Sequence, residues 1–155
     1  MCYIGLERGV MLNPSEEIMR ELIHDQRTKD SIYAAVVSPE GEIIAKGHTT
    51  VNKDNDPSAH AEINAIREAC KMLGLSRLGK GYWLYTTFEP CPLCSSAIIW
   101  AGIDGVVYAN NPGYRGKEDN WSFIPCREML QRGKYLHQVK LVENFLIDEI
   151  KDYFH

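Results

Sequence analysis

Four side chains stand at spacings that chemistry uses. His60 and Glu62 lie in the stretch DPSAHAEINAI (56–66), and Cys91 and Cys94 lie in TTFEPCPLCSSAII (86–99). A Cys-x-x-Cys pair by itself is ambiguous between a redox couple, half of a structural zinc site and chance. A closed four-cysteine zinc site needs a second such pair, and the sequence has none. His60 narrows the choice. One histidine and two cysteines give zinc three protein ligands, and the fourth tetrahedral position is left for water, as in catalytic centres. Two thiolates neutralise the metal's charge, so it acidifies water less than a site of neutral histidines would. A nearby base must then take the proton, and Glu62 is two residues from the histidine. The same carboxyl can return that proton to a ring nitrogen and to a leaving amine. The chemistry predicted is attack of zinc-activated water on an amino-bearing aromatic carbon, followed by loss of ammonia.

The surrounding elements must bring these stretches together. Residues 14–24 read as a first helix, with Asn13 as N-cap and Pro14 at the first helical position. Strands are expected at 31–37 and 42–47 around a turn at 38–41, followed by a polar loop at 49–55. Asp56 and Pro57 predict the start of a helix that buries Ala59, Ile63, Ile66, Ala69 and Cys70 and stops at Gly74. Further strands are read at 82–86, 106–109 and 138–141, and helices at 92–100, 124–131 and 143–153, with a long polar loop at 110–122. Strands alternating with helices imply a layered α/β domain, and the whole of 1–155 reads as one domain. Both ligand stretches open helices, whose positive ends favour thiolate over thiol at Cys91 and Cys94.

Composition limits the classes of function. The chain has 155 residues, 45% hydrophobic and 25% charged, with a net charge of -4 and no strongly basic stretch. Nucleic-acid binders concentrate basic charge on one face, so a polynucleotide substrate is disfavoured. Five cysteines, an odd number, argue for metal or redox use over a disulfide framework. Cys2, Cys70 and Cys126 read as inert. No run of about 18 apolar residues suggests a membrane span, and the first residues lack the features of a signal peptide. A cytoplasmic protein is expected.

His-x-Glu with Pro-Cys-x-x-Cys is the signature of zinc deaminases, in which the glutamate is acid and base rather than ligand. The segments 55–70 (NDPSAHAEINAIREAC) and 84–101 (LYTTFEPCPLCSSAIIWA) resemble the cytidine deaminase-like superfamily, in the branch of bacterial guanine deaminases and tRNA adenosine deaminases. Trp100 and Ser122-Phe123-Ile124 lean toward the guanine deaminases. The resemblance spans about 31–124. It implies a three-layer α/β/α fold around a five-stranded mixed sheet, one zinc per subunit and a homodimer. His60, Cys91 and Cys94 would hold the metal, Glu62 would shuttle protons, and the N–H of Ala61 would bind the substrate ring. Tyr153 is a candidate for reaching a partner's site.

The chain also departs from these relatives. Ile32-Tyr33-Ala34-Ala35 replaces their Pro-Phe-Gly-Ala, Thr49 replaces a substrate-binding asparagine, and Asp119-Asn120-Trp121 replaces their acidic residues before Ser-Phe-Ile. Thr49 and Trp121 at these departures, and Trp100 by the likeness to guanine deaminases, are the candidate substrate contacts. The expected function is zinc-dependent hydrolytic deamination of a small amino-substituted nucleobase or nucleoside, a guanine-like purine in the first place. The alternatives are a tRNA-specific adenosine deaminase and a zinc-binding interaction module without catalysis.

Overall fold

The computed structural model describes residues 13–111 and 121–152. The first twelve residues, most of the loop expected at 110–122 and Tyr153 lie outside the described residues. Helix α1 spans Glu16–Lys29. The hairpin strands β1 (Tyr33–Val37) and β2 (Ile43–His48) follow, then a short helix α2 (Val51–Asp54) and the long helix α3 (Ala61–Leu73). Strand β3 (Trp83–Phe88) leads into α4 (Pro92–Trp100), and β4 (Gly105–Asn110), α5 (Cys126–Arg132) and β5 (Lys140–Val142) complete the order.

The five strands form one mixed sheet in the order β2-β1-β3-β4-β5. The pairs β1–β2 and β1–β3 are antiparallel, whereas β3–β4 and β4–β5 are parallel. Side-chain alternation sends Ala34, Val36, Leu84 and Val106 to one face, where they pack with Ala65, Ala69 and Ile98 of α3 and α4. Ala35, Val37, Tyr85 and Val107 point to the other face, against Met19, Leu22 and Ile23 of α1. The sheet thus lies between two helical layers. Its central strands β1, β3 and β4 are buried on both faces, which is why they read as continuous apolar runs.

Close backbone approach sets α3 on the sheet. A Cβ at Gly47 in β2 would stand 2.5 Å from Ala61 O and 2.5 Å from Ala65 N. Only a glycine leaves room for the first turn of α3 at that depth.

Four elements differ from expectation. Helix α1 begins at Glu16, because Ser15 rather than Asn13 accepts the capping N–H, from Ile18 at 3.3 Å. It continues five residues beyond His24 to Lys29, since Gln26 extends its buried stripe, and it ends at Asp30 in the left-handed region. Helix α3 begins at Ala61. Asp56 instead closes a local turn, its carboxylate accepting from the Ser58 N–H and hydroxyl at 2.8 and 2.7 Å. Residues 51–54, read as loop, form the single-turn helix α2. The expected closing helix at 143–153 reduces, among the described residues, to a 3₁₀ turn at Ile147–Glu149. Glu143 is drawn to Tyr108 and Arg127, and the Phe145 N–H donates to Tyr108 O at 3.0 Å.

Candidate active site

His60 and Cys91 occupy the same structural position, the N-cap of a helix, and both have extended backbones. That slot usually holds a short side chain that caps its own helix. Neither residue caps, so both project their donor atoms beyond the helix ends. Cys94 lies one turn into α4 and is 1% exposed. His60 Nδ1 is 3.5 Å from Cys91 Sγ and 3.4 Å from Cys94 Sγ, and the two sulfurs are 3.7 Å apart.

Tetrahedral zinc with bonds of about 2.3 Å to sulfur and about 2.05 Å to nitrogen places its donors about 3.8 Å (S···S) and about 3.6 Å (N···S) apart. The three separations match those edges, so the residues fit the metal. Their electrostatics point the same way. Cys91 is pulled down to about 4 by the Cys94 thiol and by His60, against the cost of burial. Cys94 is pushed up by Cys91, by burial and by the Glu62 carboxylate. His60 is raised, chiefly by its bond to Cys91. Cys91 and Glu62 thus hold Cys94 as a thiol, and a cation among the three donors would let it ionise as well.

Glu62 is buried in the first turn of α3. Burial raises its pKa. Its Oε1 accepts from Cys94 Sγ at 3.6 Å, and its Oε2 accepts from the Thr86 hydroxyl at 3.0 Å. Thr86, on the α3-facing side of β3, therefore fixes the rotamer of the carboxyl next to the three donors.

These groups form the floor of a cavity of about 420 Å³. His60, Glu62 and Cys91 face it, Ile32, Thr49 and Val51 bound one side, and Phe88, Glu89, Leu93, Trp121 and Phe123 the other. Trp121 packs against Phe88 with ring centroids 5.3 Å apart at 32°. Among the described residues no lysine or arginine lines the cavity. Aromatic walls over a few convergent polar groups suit a flat heterocycle.

The sequence-predicted set is brought together in large part. His60, Cys91 and Cys94 converge, Glu62 adjoins them, and Thr49 and Trp121 line the cavity. Ala61 is fully buried between His60 and Glu62 and stands outside the lining. Trp100 is placed elsewhere: it ends α4, is 63% exposed and does not border the cavity. Thr86 and Glu89 escaped sequence reasoning. Their signal was a polar residue in an apolar strand and a carboxylate directly before Pro90-Cys91.

Residues 14–110 match the cytidine and deoxycytidylate deaminase zinc-binding region. The chain belongs to this family. Within it, the guanine deaminase of Bacillus subtilis is 51% identical over 77 residues, 50% of this chain and 49% of that protein. The tRNA-specific adenosine deaminase of Aquifex aeolicus is 45% identical over 75 residues, 48% of this chain and 49% of that protein. The chain thus matches about half the length of these two curated relatives. The tRNA-specific adenosine deaminase of Bacillus subtilis is 34% identical over 137 residues, covering 86% of this chain and 80% of that protein. Among solved structures, a point mutant of NE0047 in complex with 8-azaguanine superposes with a TM-score of 0.69 at 25% identity, over 85% of this chain and 75% of that one. The crystal structure of the Bacillus subtilis guanine deaminase gives 0.55 at 40% identity, over 61% and 63%. The five-stranded mixed sheet agrees with this family, and the His60, Cys91 and Cys94 group could hold the zinc that its description names. Among the described residues no helix is long and apolar enough to cross a membrane.

Proposed function

We propose that this protein hydrolytically deaminates a small amino-substituted nucleobase or nucleoside, a guanine-like purine in the first place, and releases ammonia. The observation that carries the reading is the Glu62 carboxyl, buried, oriented by Thr86 and 3.6 Å from Cys94 at the floor of an aromatic cavity. His60, Cys91 and Cys94 would hold zinc. Zinc in such a centre lowers the pKa of water and polarises the bond under attack. Glu62 would take one proton from that water and pass it to a ring nitrogen, then take the second from the oxygen that has attacked and pass it to the departing amine, so that one hydrogen of the water ends on the ring and the other in ammonia. Trp121 and Phe88 stack on the ring, and Thr49 supplies a hydroxyl at its edge in place of the asparagine of the relatives. The relation to guanine deaminase and the likeness to a structure carrying 8-azaguanine support a purine. A homodimer in the cytoplasm accords with the family.

A tRNA adenosine deaminase is the second reading, favoured by the relative that matches 86% of this chain. A net charge of -4 and the lack of a lysine or arginine among the described cavity residues favour the free base or nucleoside. The deciding experiment measures ammonia from zinc-loaded protein offered guanine, isocytosine, cytosine, adenine, cytidine, guanosine, pterins and triazines, alongside inosine formation in tRNA at low salt. Release from one ring supports the proposal, and inosine alone supports the second reading. Silence in both assays leaves a non-catalytic zinc module. Glu62→Gln should lower kcat about 10²- to 10⁴-fold with zinc content unchanged. Zinc loss in that variant would count against a shuttle role.

A further inference from the structure

Glu89 borders the cavity, yet it is 7% exposed, both its oxygens are bonded to protein and the proposed chemistry does not use it. It follows β3 and immediately precedes Pro90 and the donor Cys91. Its Oε1 accepts from Asn111 Nδ2 at 2.8 Å, and its Oε2 accepts from the backbone N–H of Cys126 at 2.9 Å. That N–H opens α5, whose N-cap Pro125 provides no capping side chain. The neighbouring Pro90 carbonyl accepts from the Ser122 hydroxyl at 2.9 Å and from the Ser95 hydroxyl at 3.2 Å. The segment 121–126 is thereby tied at both ends to the two residues before Cys91. Two of its side chains, Trp121 and Phe123, line the cavity although they are 54% and 73% exposed. Trp121 meets the Phe88 ring, and the tethers fix the backbone from which both side chains reach the cavity.

We infer that Glu89 is a positioning residue: its carboxylate locks the aromatic wall of Trp121 and Phe123 in register with the donor loop, and so governs how tightly the ring is held. The inference rests on the proposed deamination only for its kinetic readout. A cap that merely stabilised α5 would alter melting and leave binding alone. A positioning residue acting through Trp121 alters the wall and KM, and leaves the donors and the chemical step in place.

The test uses zinc-loaded full-length protein labelled with 5-fluorotryptophan. Its three tryptophans give three fluorine resonances, assigned with Trp121→Phe. Glu89→Gln keeps the side-chain size and gives up one of the two acceptor oxygens. The expected result is a shifted or broadened Trp121 resonance, with Trp83 and Trp100 unmoved. KM should rise about tenfold while kcat stays within about threefold, the signature of lost uniform binding, and zinc content should be unchanged. A native Trp121 resonance with native KM and lower melting would reduce Glu89 to a helix cap. Loss of zinc together with kcat would make it a support of the donor loop. Both results overturn the inference. If Glu89→Gln fails to fold, Glu89→Asp keeps the charge, draws the carboxylate back from Asn111 and the Cys126 N–H, and is read in the same way, with the same resonance shifted. An unmoved resonance there overturns the inference too. The fluorine readout needs no turnover, so absence of ammonia from wild-type protein counts against the proposed function and leaves this question decidable.

Discussion

Thr86→Val tests the site at its most economical point. The substitution keeps the branched shape that suits a fully buried strand position and removes only the hydroxyl. That hydroxyl donates to Glu62 Oε2 at 3.0 Å, with Phe88 O as its other acceptor at 3.1 Å. A hydrogen bond to a charged group contributes about 1.5–3 kcal/mol. If all of it serves to orient Glu62 in the reacting complex, kcat falls about 10- to 150-fold. KM should stay within about threefold, because Thr86 is not among the residues lining the cavity. Zinc content should also hold, because all three donors are untouched. Steady-state ammonia release and metal analysis on the same preparation measure both. Thr86→Ser, which restores the donor, should recover most of kcat. Full activity in Thr86→Val would refute the claim that Thr86 sets the carboxyl. A drop in zinc would show that Thr86 supports the donors instead.

Three further outcomes follow from the geometry. A chelator should abolish activity and lower the melting temperature, and added zinc should restore both; at a thousandfold excess over its dissociation constant, a ligand of the folded state stabilises it by about 4 kcal/mol. Gly47→Ala should destabilise by at least the about 1–3 kcal/mol typical of overpacking, since its Cβ meets backbone atoms of α3, and it should lower zinc affinity by displacing His60; a denaturation curve and a zinc titration check each part. Burial works against the Asp25 carboxylate, yet Lys46 at 2.9 Å and Lys29 at 3.6 Å outweigh it and hold its pKa below the usual value. A depressed folded pKa contributes stability above the unfolded value of about 3.9 that is lost as pH falls through the folded one. Melting curves of Asp25→Asn from pH 7 to pH 2 should therefore lose less stability at the acid end than wild type.

The sequence made the donors legible because residue type and spacing are enough for a metal. Helix α4 was placed at both ends by Pro92 and by the glycine after Ala101. Helix α3 was started too early, because Asp-Pro is an equally good opening for a helix and for a turn. Ser58, two residues on, tips the balance to the turn through its N–H and hydroxyl. The error mattered for function: it placed His60 inside a helix, whereas it stands at the N-cap with its Nδ1 3.5 Å from Cys91 Sγ. The closing helix failed for a tertiary reason, since Glu143 and Phe145 are claimed by Tyr108 on β4. Thr86 and Glu89 stayed hidden because their partners, Glu62 and Cys126, are 24 and 37 positions away. Trp100 was assigned to the cavity by family likeness alone, and the length of α4 carries it to the opposite end of that helix.

The cavity is built from two unlike halves. On one side Phe88, Glu89, Pro90 and Cys91 run consecutively, so the stacking ring, the anchor, the tethered carbonyl and a donor share four adjacent positions. A change there disturbs metal and wall together. On the other side Ile32 and Thr49 flank β1 and β2 and touch no donor-bearing residue through the bonds that hold the centre. Variation can therefore accumulate on the hairpin side with the metal undisturbed, and two of the three departures from the relatives, at 32–35 and at Thr49, lie there. A mutagenesis library that seeks a new ring for this scaffold belongs at positions 32, 49 and 51, with 88–94 held fixed.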